Sequence, residues 1–351
     1  MRRILLVSTG GTIEMSPGPG GFVITGDAAL DADTALIPPG IELCHRRLFS
    51  LPSPHMNPAR MADLARELAL MEASGEWDGL VVTHGTDTLE ESAYLADIHL
   101  RGRIPVAFTA AMRSNAELGV DGPRNVRGAV LTAASDEFHD FGVVVVLNDE
   151  IHCASRVTKT YTSNVSSFAS PGYGPLGFID GDRAIFAQAP LRRLRLPAGD
   201  LVLDERVGLV RVAAGLGARE IRFCVDSGDR AVVLEAFGRG NVPPDVAEAV
   251  SEAVDSGVMV AVTTRCFMGR VMGLYGYPGG YGSTGNQRSA DLDSLTADHQ
   301  HLTELHRVPH KVLQLLHLQN RVGGDAVLLS AGADDGKHGF DFPMTGRTFF
   351  P

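Results

Sequence analysis

"ILLVSTGGTIEM", residues 4–15, decides how this chain is laid out. Ile4 to Val7 form a short aliphatic run of the kind that becomes a strand buried on both faces. The run ends in Gly10 and Gly11, which let a backbone turn sharply and let a ligand approach it closely. Thr12 then offers a hydroxyl just beyond the turn. Such a strand end is either a plain tight turn or an active-site loop, and this stretch alone does not separate the two.

The same grammar recurs downstream in "GLVVT" (79–83), "PVAFT" (105–109) and "GVVVVL" (142–147). Between these runs, "NPARMADLARELALMEAS" sets Met61, Leu64, Ala65, Leu68 and Met71 along one stripe of an amphipathic helix. "DTLEESAYLADIHL" predicts a second helix, capped by Asp87 or Thr88, with Glu90 and Glu91 in its first turn. Strands alternating with helices predict an α/β fold with a parallel sheet covered on both faces. After Phe186 the pattern breaks: "AQAPLRRLRLPAGDLVLDER" has two prolines and clustered arginines and is expected to cross a surface as a linker. A second series follows in "VGLVRV", "AVVLEAFG", "GVMVAVTT" and "AVLLSAG". The expected organisation is an N-terminal domain over 1–186, a linker over 187–206 and a smaller α/β domain over 207–351, with a polar C-terminal extension.

Composition narrows the class of partner. The 351 residues are 44% hydrophobic, enough for a large core, and carry a formal net charge of −11 without a dense basic block. A surface that tracks nucleic-acid phosphates is excluded on that ground, and a small-molecule partner is expected. Cys44, Cys153, Cys224 and Cys266 lie far apart and form no CxxC pair, against a zinc ribbon or disulfide scaffold. No apolar run approaches the roughly 20 residues of a membrane span. "MRRILLVS" opens like a secretory leader, but its apolar run is short and leads straight into the glycine turn, so a cytoplasmic location is expected.

Chemistry emerges when "STGGTIEM" is set beside "VVTHGTDTLEE" (81–91). Both are apolar strands ending in a glycine turn that bears a threonine. Ligands of open parallel sheets sit beyond the carboxyl ends of the strands, so Thr12 and Thr86 are expected on one rim, facing one cleft. A threonine hydroxyl is a weak nucleophile unless a base or proton relay lies within hydrogen-bond reach. "VTKTYTS" offers Lys159, and a lysine beside Asp87 completes a threonine, lysine and acid relay. Backbone N–H groups of the two turns, that of Gly11 among them, suit an oxyanion at the attacked carbonyl. These residue types suit amide hydrolysis. The glycine-rich "YGYPGGYGSTG" (275–285) lacks the GK[ST] ending of a phosphate loop, and "DHQHLTELHRVPH" has histidines without a recognised metal spacing. "VPHKVLQLLHLQN" predicts a last helix.

The motifs "TGGTI" (9–13), "HGTDTLEE" (84–91), "AAMR" (110–113), "DGPRN" (121–125), "VTKTYT" (157–162), "YGPLGFI" (173–179) and "GRGN" (238–241) occur in one order over nearly the whole chain. Together they resemble the bacterial-type L-asparaginase/glutaminase family, and the spacing of the first loop is closer to its cytoplasmic branch. The resemblance implies a flavodoxin-like N-terminal domain, a smaller C-terminal α/β domain, and a homodimer or homotetramer with active sites at subunit contacts. It also implies hydrolysis of a carboxamide through a threonine acyl-enzyme, without a metal or cofactor. Thr12 matches the threonine usually taken as the nucleophile, and Thr86, Asp87 and Lys159 match the second triad. Ser53 matches the residue that holds the substrate α-carboxylate, and the Ala111 carbonyl matches an acceptor for the scissile amide. Asn241 is implied as a contribution from the adjoining subunit.

Departures stand beside these matches. The family carries a relay tyrosine in the loop after the first threonine, whereas "GPGGFVITG" places Phe22 there as a lid residue without a hydroxyl. Either Tyr161 or Tyr173 serves instead, or the Lys159 relay or the substrate itself activates the hydroxyl. Pro54 and His55 stand where a polar side chain and an aspartate are usual, and "GLYGYPGGYGSTGNQRSADL" (273–292) has no glutamate. The expected substrate is therefore an asparagine-like or modified amide rather than free asparagine. The alternative is a non-catalytic or repurposed amide-binding protein that has lost the first proton relay.

Overall fold

The computed structural model describes residues 1–17, 23–25, 37–138, 141–190, 195–196, 201, 203–280 and 290–291. In chain order the first part contains β1 (Arg2–Gly10), the antiparallel pair β2 (Met15–Pro17) and β3 (Val23–Thr25), β4 (Ile41–Leu51), α1 (Pro58–Ser74) and β5 (Gly79–Thr83). It continues with α2 (Leu89–His99), β6 (Val106–Thr109), α3 (Gly122–Ala133), β7 (Val143–Leu147), β8 (Glu150–Cys153) and the small pair β9 (Thr158–Lys159) and β10 (Phe168–Ala169). A hairpin of β11 (Gly177–Asp180) and β12 (Arg183–Phe186) closes it.

The large sheet has the order β12-β11-β8-β7-β6-β5-β1-β4. From β4 through β1, β5 and β6 to β7 all neighbours are parallel. The edge beyond β7 is antiparallel, an extension that the alternation of strand and helix did not announce. Among the parallel strands the chain runs outward from β1 to β4 and then returns to build β5, β6 and β7 on the other side. The order reverses between β1 and β5, where an open α/β sheet leaves a crevice at the carboxyl ends of its strands.

Alternation along the strands divides the core into two layers. Leu5, Val7, Leu80, Val82, Val143 and Val145 pack with Leu64, Leu68 and Met71 of α1 and Leu89, Ala93 and Ala96 of α2. Ile4, Leu6, Val81, Ala107, Val144 and Val146 face Val126, Ala129, Val130 and Ala133 of α3. Strands that bury both faces read as continuous hydrophobic runs, which is why "ILLV" and "VVVV" show no polar alternation.

The stripe of α1 is buried at Met61, Leu64, Ala65, Leu68 and Met71. Its start is held by Asn57, whose side chain accepts from the Arg60 N–H at 3.0 Å, and it stops at Gly75 with a left-handed φ of 70°. The second helix departs from expectation at its cap. Thr88 occupies the cap position but its side chain makes no capping bond; the hydroxyl donates to the Ser53 carbonyl at 2.9 Å. It ties α2 to the segment after β4 instead.

Helix α2 is buried almost all round. Its outer face, Tyr94, Leu95 and Ile98, joins Met56, Met61, Ala62 and Ala65 with Leu196 and Leu201 and with Val233 of the C-terminal sheet. Leu196 and Leu201 are thus core residues, so the segment expected merely to cross a surface contributes apolar anchors to the interior. Its arginines and prolines obscure two leucines without helical or strand spacing.

The C-terminal part contains β13 (Val207–Arg211), α4 (Arg219–Asp226), β14 (Ala231–Ala236), α5 (Pro244–Asp255), β15 (Met259–Thr264) and the short β16 (Ala290–Asp291). These four strands form a parallel sheet in the order β13-β14-β15-β16. The described residues are therefore α/β, with a large, mostly parallel N-terminal sheet and a smaller C-terminal α/β unit. The predicted "AVLLSAG" strand, the last helix "VPHKVLQLLHLQN", the histidines of "DHQHLTELHRVPH" and the polar tail lie outside the described residues.

Leu95→Ala tests the seam between the two parts. Leu95 is fully buried among α1, the linker and β14, so truncation is expected to cost about 2–5 kcal/mol in urea unfolding. A loss below about 1 kcal/mol would show that α2 does not carry the seam.

Candidate active site

Two tight turns meet at the reversal point of the sheet. Gly10 and Gly11 end β1 with φ of 102° and 87°, values that side-chain-bearing residues rarely adopt. A Cβ on Gly11 would lie 2.4 Å from Gly85 Cα, and one on Gly85 would lie 2.5 Å from Ser53 Cβ. The Gly11 N–H donates to the Leu51 carbonyl at 2.9 Å, fixing the turn against the end of β4, so contrary to expectation this N–H serves the fold and is not a free oxyanion donor. Three strand ends are thus stacked backbone on backbone. Thr12 opens a 3-10 turn (Thr12–Glu14) immediately after Gly11, and Thr86 follows Gly85.

The side chains that converge there come from distant parts of the chain. Lys159 Nζ donates to Thr86 Oγ1 at 2.8 Å and to Asp87 Oδ1 at 2.8 Å. Ser53 Oγ donates to Asp87 Oδ2 at 3.1 Å and accepts from the Asp87 N–H at 3.2 Å. Thr86 is buried, the Lys159 side chain is 15% exposed and that of Asp87 is 54% exposed, so the set runs from protein interior to water. Lys159 is delivered by β9: its backbone N–H donates to Glu90 Oε2 at 2.5 Å, and the partner strand β10 holds the buried Phe168. Thr12 is half-buried, and among the described residues no hydrogen bond reaches its hydroxyl.

Ala111 is buried at the end of β6, held by a network that the motifs did not explain by themselves. Asp121 accepts the N–H groups of Met112 and Arg113, each at 3.0 Å. Asn125 donates to the Ala110 carbonyl at 2.9 Å and to Asp121 Oδ2 at 3.2 Å. "AAMR" and "DGPRN" are therefore two halves of one turn.

Asn241 belongs to the turn after β14, where its N–H donates to the Phe237 carbonyl at 3.0 Å. Phe22 lies outside the described residues, as does part of the 275–285 loop. Of the replacement tyrosines, Tyr161 is 57% exposed and the Tyr173 ring lies under the Arg156 guanidinium, 4.5 Å from its centroid. Neither bonds Thr12 among the described residues. Pro54 and His55 are both exposed beside Ser53.

Sequence inspection missed two groups. His84 is fully buried; its Nδ1–H donates to the Gly85 carbonyl at 2.8 Å, and Nε2 accepts from the Ser92 hydroxyl at 2.9 Å. Burial drives its pKa down to about 4, against the pull of the Gly85 bond, so the ring is neutral at pH 7. Glu14 is 2% exposed, and burial raises its pKa against the opposing effects of Arg47, the Gly10 N–H, Ser8 and Thr83. Among the described residues no group of three or more His, Cys, Asp or Glu is placed to hold a metal ion, and no helix is long and apolar enough to cross a membrane.

Sequence comparison places this architecture in a class. The asparaginase N-terminal domain model matches residues 3–192, and the glutaminase/asparaginase C-terminal domain model matches residues 206–297. The chain belongs to the asparaginase family, whose members are amidohydrolases acting on C–N bonds. It is 34% identical to the L-asparaginase of Bacillus licheniformis over 286 residues, 79% of this chain and 86% of that one. It is 36% identical to a probable L-asparaginase of Deinococcus radiodurans over 79% of this chain and 84% of that one. A more distant relative is the L-asparaginase of Thermococcus kodakarensis, 31% identical over 76% of this chain and 81% of that one.

His84 makes a pH prediction. Its folded pKa of about 4 lies below the unfolded value of 6.5, so below pH 6.5 the unfolded chain binds the proton first. The neutral ring's full contribution is present above pH 6.5 and is lost as pH falls toward 4, by about 3 kcal/mol in total. His84→Gln should remove that part of the acid destabilisation, read as a shallower fall in unfolding free energy between pH 6.5 and 4. An unchanged slope would contradict it.

Proposed function

We propose that this amidohydrolase cleaves the carboxamide of an asparagine-like or modified amide through a threonine acyl-enzyme and releases ammonia or an amine. The observation that carries the proposal is the position of Lys159 Nζ, 2.8 Å from both Thr86 Oγ1 and Asp87 Oδ1. A proton arriving at Thr86 has a continuous path to a carboxylate at the solvent edge. The Thr86 hydroxyl is already engaged, whereas that of Thr12 has no hydrogen-bond partner among the described residues and is free to face substrate.

In this reading Thr12 Oγ attacks the amide carbon as its proton passes to Thr86, while Thr86 releases its own to Lys159 and Lys159 one to Asp87. The C=O π electrons move onto oxygen, where backbone N–H groups of the glycine turns stabilise the oxyanion. Collapse breaks the C–N bond, and the leaving nitrogen takes a proton back from the relay and departs as ammonia or amine. Water then attacks the Thr12 ester, gives its proton through the same path, and the carboxylic acid leaves with Thr12 restored.

Ser53 is poised for a substrate carboxylate and the Ala111 carbonyl for the amide NH₂. Asp87, 54% exposed, remains as one partner for an α-ammonium, but Pro54 supplies no side-chain donor or acceptor beside it. An α-ammonium is poorly provided for, which supports a substrate whose amino group is blocked or a substituted ω-amide. We further propose that the protein is cytoplasmic, that residues 1–186 and 207–351 act as its two domains, and that a homo-oligomer brings Asn241 of a second copy to the site.

Incubation with a panel of amides should release ammonia or amine and leave a transient acyl mass on the peptide containing Thr12. Thr86→Ala and Lys159→Ala should each lower kcat by about 10²–10⁴ with unchanged circular dichroism. Full turnover in either variant removes the relay, and an adduct on Thr86 reverses the two threonine roles. If no amide of the panel is cleaved, the protein binds amides without hydrolysing them. Separately, Pro54→Gln should raise kcat/KM for free asparagine relative to blocked amides; an unchanged ratio would refute the substrate assignment.

A further inference from the structure

A buried carboxyl group sits two residues beyond Thr12, on the face of the sheet that packs against α3. Glu14 is 2% exposed, inside the 3-10 turn that Thr12 begins. Thr83 Oγ1 donates to its Oε1 at 3.4 Å, and the nearby Gly10 N–H and Ser8 hydroxyl favour its charged form. Oε2 has no hydrogen-bond partner among the described residues, and Arg47 Nε lies 4.0 Å from it. His45 extends the network by donating from Nε2 to Ser8 Oγ at 3.0 Å. Ser8 pairs with Thr83 on one side and Arg47 on the other, so the polar groups form one row across β4, β1 and β5 at the rim.

A carboxyl group in such a place is costly to desolvate. Apart from Arg47 of β4, its contacts are to the ends of β1 and β5, the strands that carry the two threonine turns. The Glu14 N–H also closes the turn onto the Gly11 carbonyl at 3.0 Å, so the residue is tied at backbone and side chain.

We infer that Glu14 is a positioning residue for Thr12: its side chain clamps the turn bearing the hydroxyl onto the ends of β1 and β5, with Arg47 of β4 as counter-charge. The role rests on Thr12 as the acyl acceptor. A side chain that holds a reacting group acts on kcat, because small misplacements of a nucleophile are expensive in rate while substrate contacts made elsewhere persist. The charged and titratable groups facing Glu14 are Arg47 directly and His45 through Ser8; burial and Arg47 both lower the pKa of His45.

The test compares Glu14→Ala with Glu14→Gln in the full chain. Glu14→Ala should lower kcat by about 10-fold or more with KM changed less than about threefold. Glu14→Gln, which keeps the shape and the acceptor oxygen, should restore most of kcat near neutral pH and erase the inflection that Glu14 places above the ordinary glutamate range. Hydrogen exchange of the peptide spanning Thr9–Met15 should accelerate in Glu14→Ala and not in Glu14→Gln, a readout that needs no turnover. An inactive wild-type protein with this exchange pattern would defeat the amidase reading and leave the clamp standing. Unchanged exchange in Glu14→Ala, a kcat within about twofold of wild type, or equal loss of kcat, KM and thermal stability in both variants would overturn the clamp.

Discussion

Everything at the site depends on how closely two backbones approach where the strand order reverses. Gly11 and Gly85 touch with no room for a Cβ on either, and Gly85 in turn presses on Ser53. With any side chain between them the turns after β1 and β5 would be forced apart, and Thr12, Thr86 and Ser53 would no longer share a rim. The left-handed φ at Gly10 and Gly11 costs glycine little and would strain any other residue. The close approach therefore fixes where the two turns sit, and the flanking hydroxyls inherit their positions from it.

Around that contact the protein sorts polar groups by depth. His84, neutral and fully buried, bridges the β5 turn to α2 through Gly85 and Ser92. Asp121 and Asn125 turn their acceptors and donors to holding the turn at Ala110–Arg113. Lys159 and Asp87 lie further out, where water can reach the carboxylate and exchange protons with it. A charge pair at that boundary avoids the desolvation penalty of a fully buried one while leaving Thr86 in a drier place. On the face that packs against α3 the arrangement is the reverse: Glu14 is buried and bears the desolvation penalty, with Arg47 Nε 4.0 Å away as counter-charge.

The hydrophobic framework serves this arrangement by keeping strand ends in register. The parallel alignment of β1 with β5 pairs Ser8 with Thr83, which places the two turns at the same height above the sheet. Helix α2, buried between the first sheet and the C-terminal strands, joins the two parts through Leu95, Ile98 and Val233.

Strand runs, the α1 stripe and the paired threonine turns were legible in the amino-acid sequence because they are local: a period, a glycine or a hydroxyl at a fixed offset is visible without a partner. The antiparallel edge β8, β11 and β12, the core role of Leu196 and Leu201, and the cap that Thr88 does not form were not, since each is set by a neighbour far along the chain. Family membership followed from motif order alone. By itself, then, the sequence determined an α/β chain with two glycine turns bearing threonine and a lysine able to serve them. Only the tertiary structure decided that Lys159 meets Thr86 and Asp87 across more than 70 residues, and that Glu14 and His84 are buried supports of the turns. Burial and hydrogen bonding depend on what the fold packs against a residue, and no local pattern encodes that.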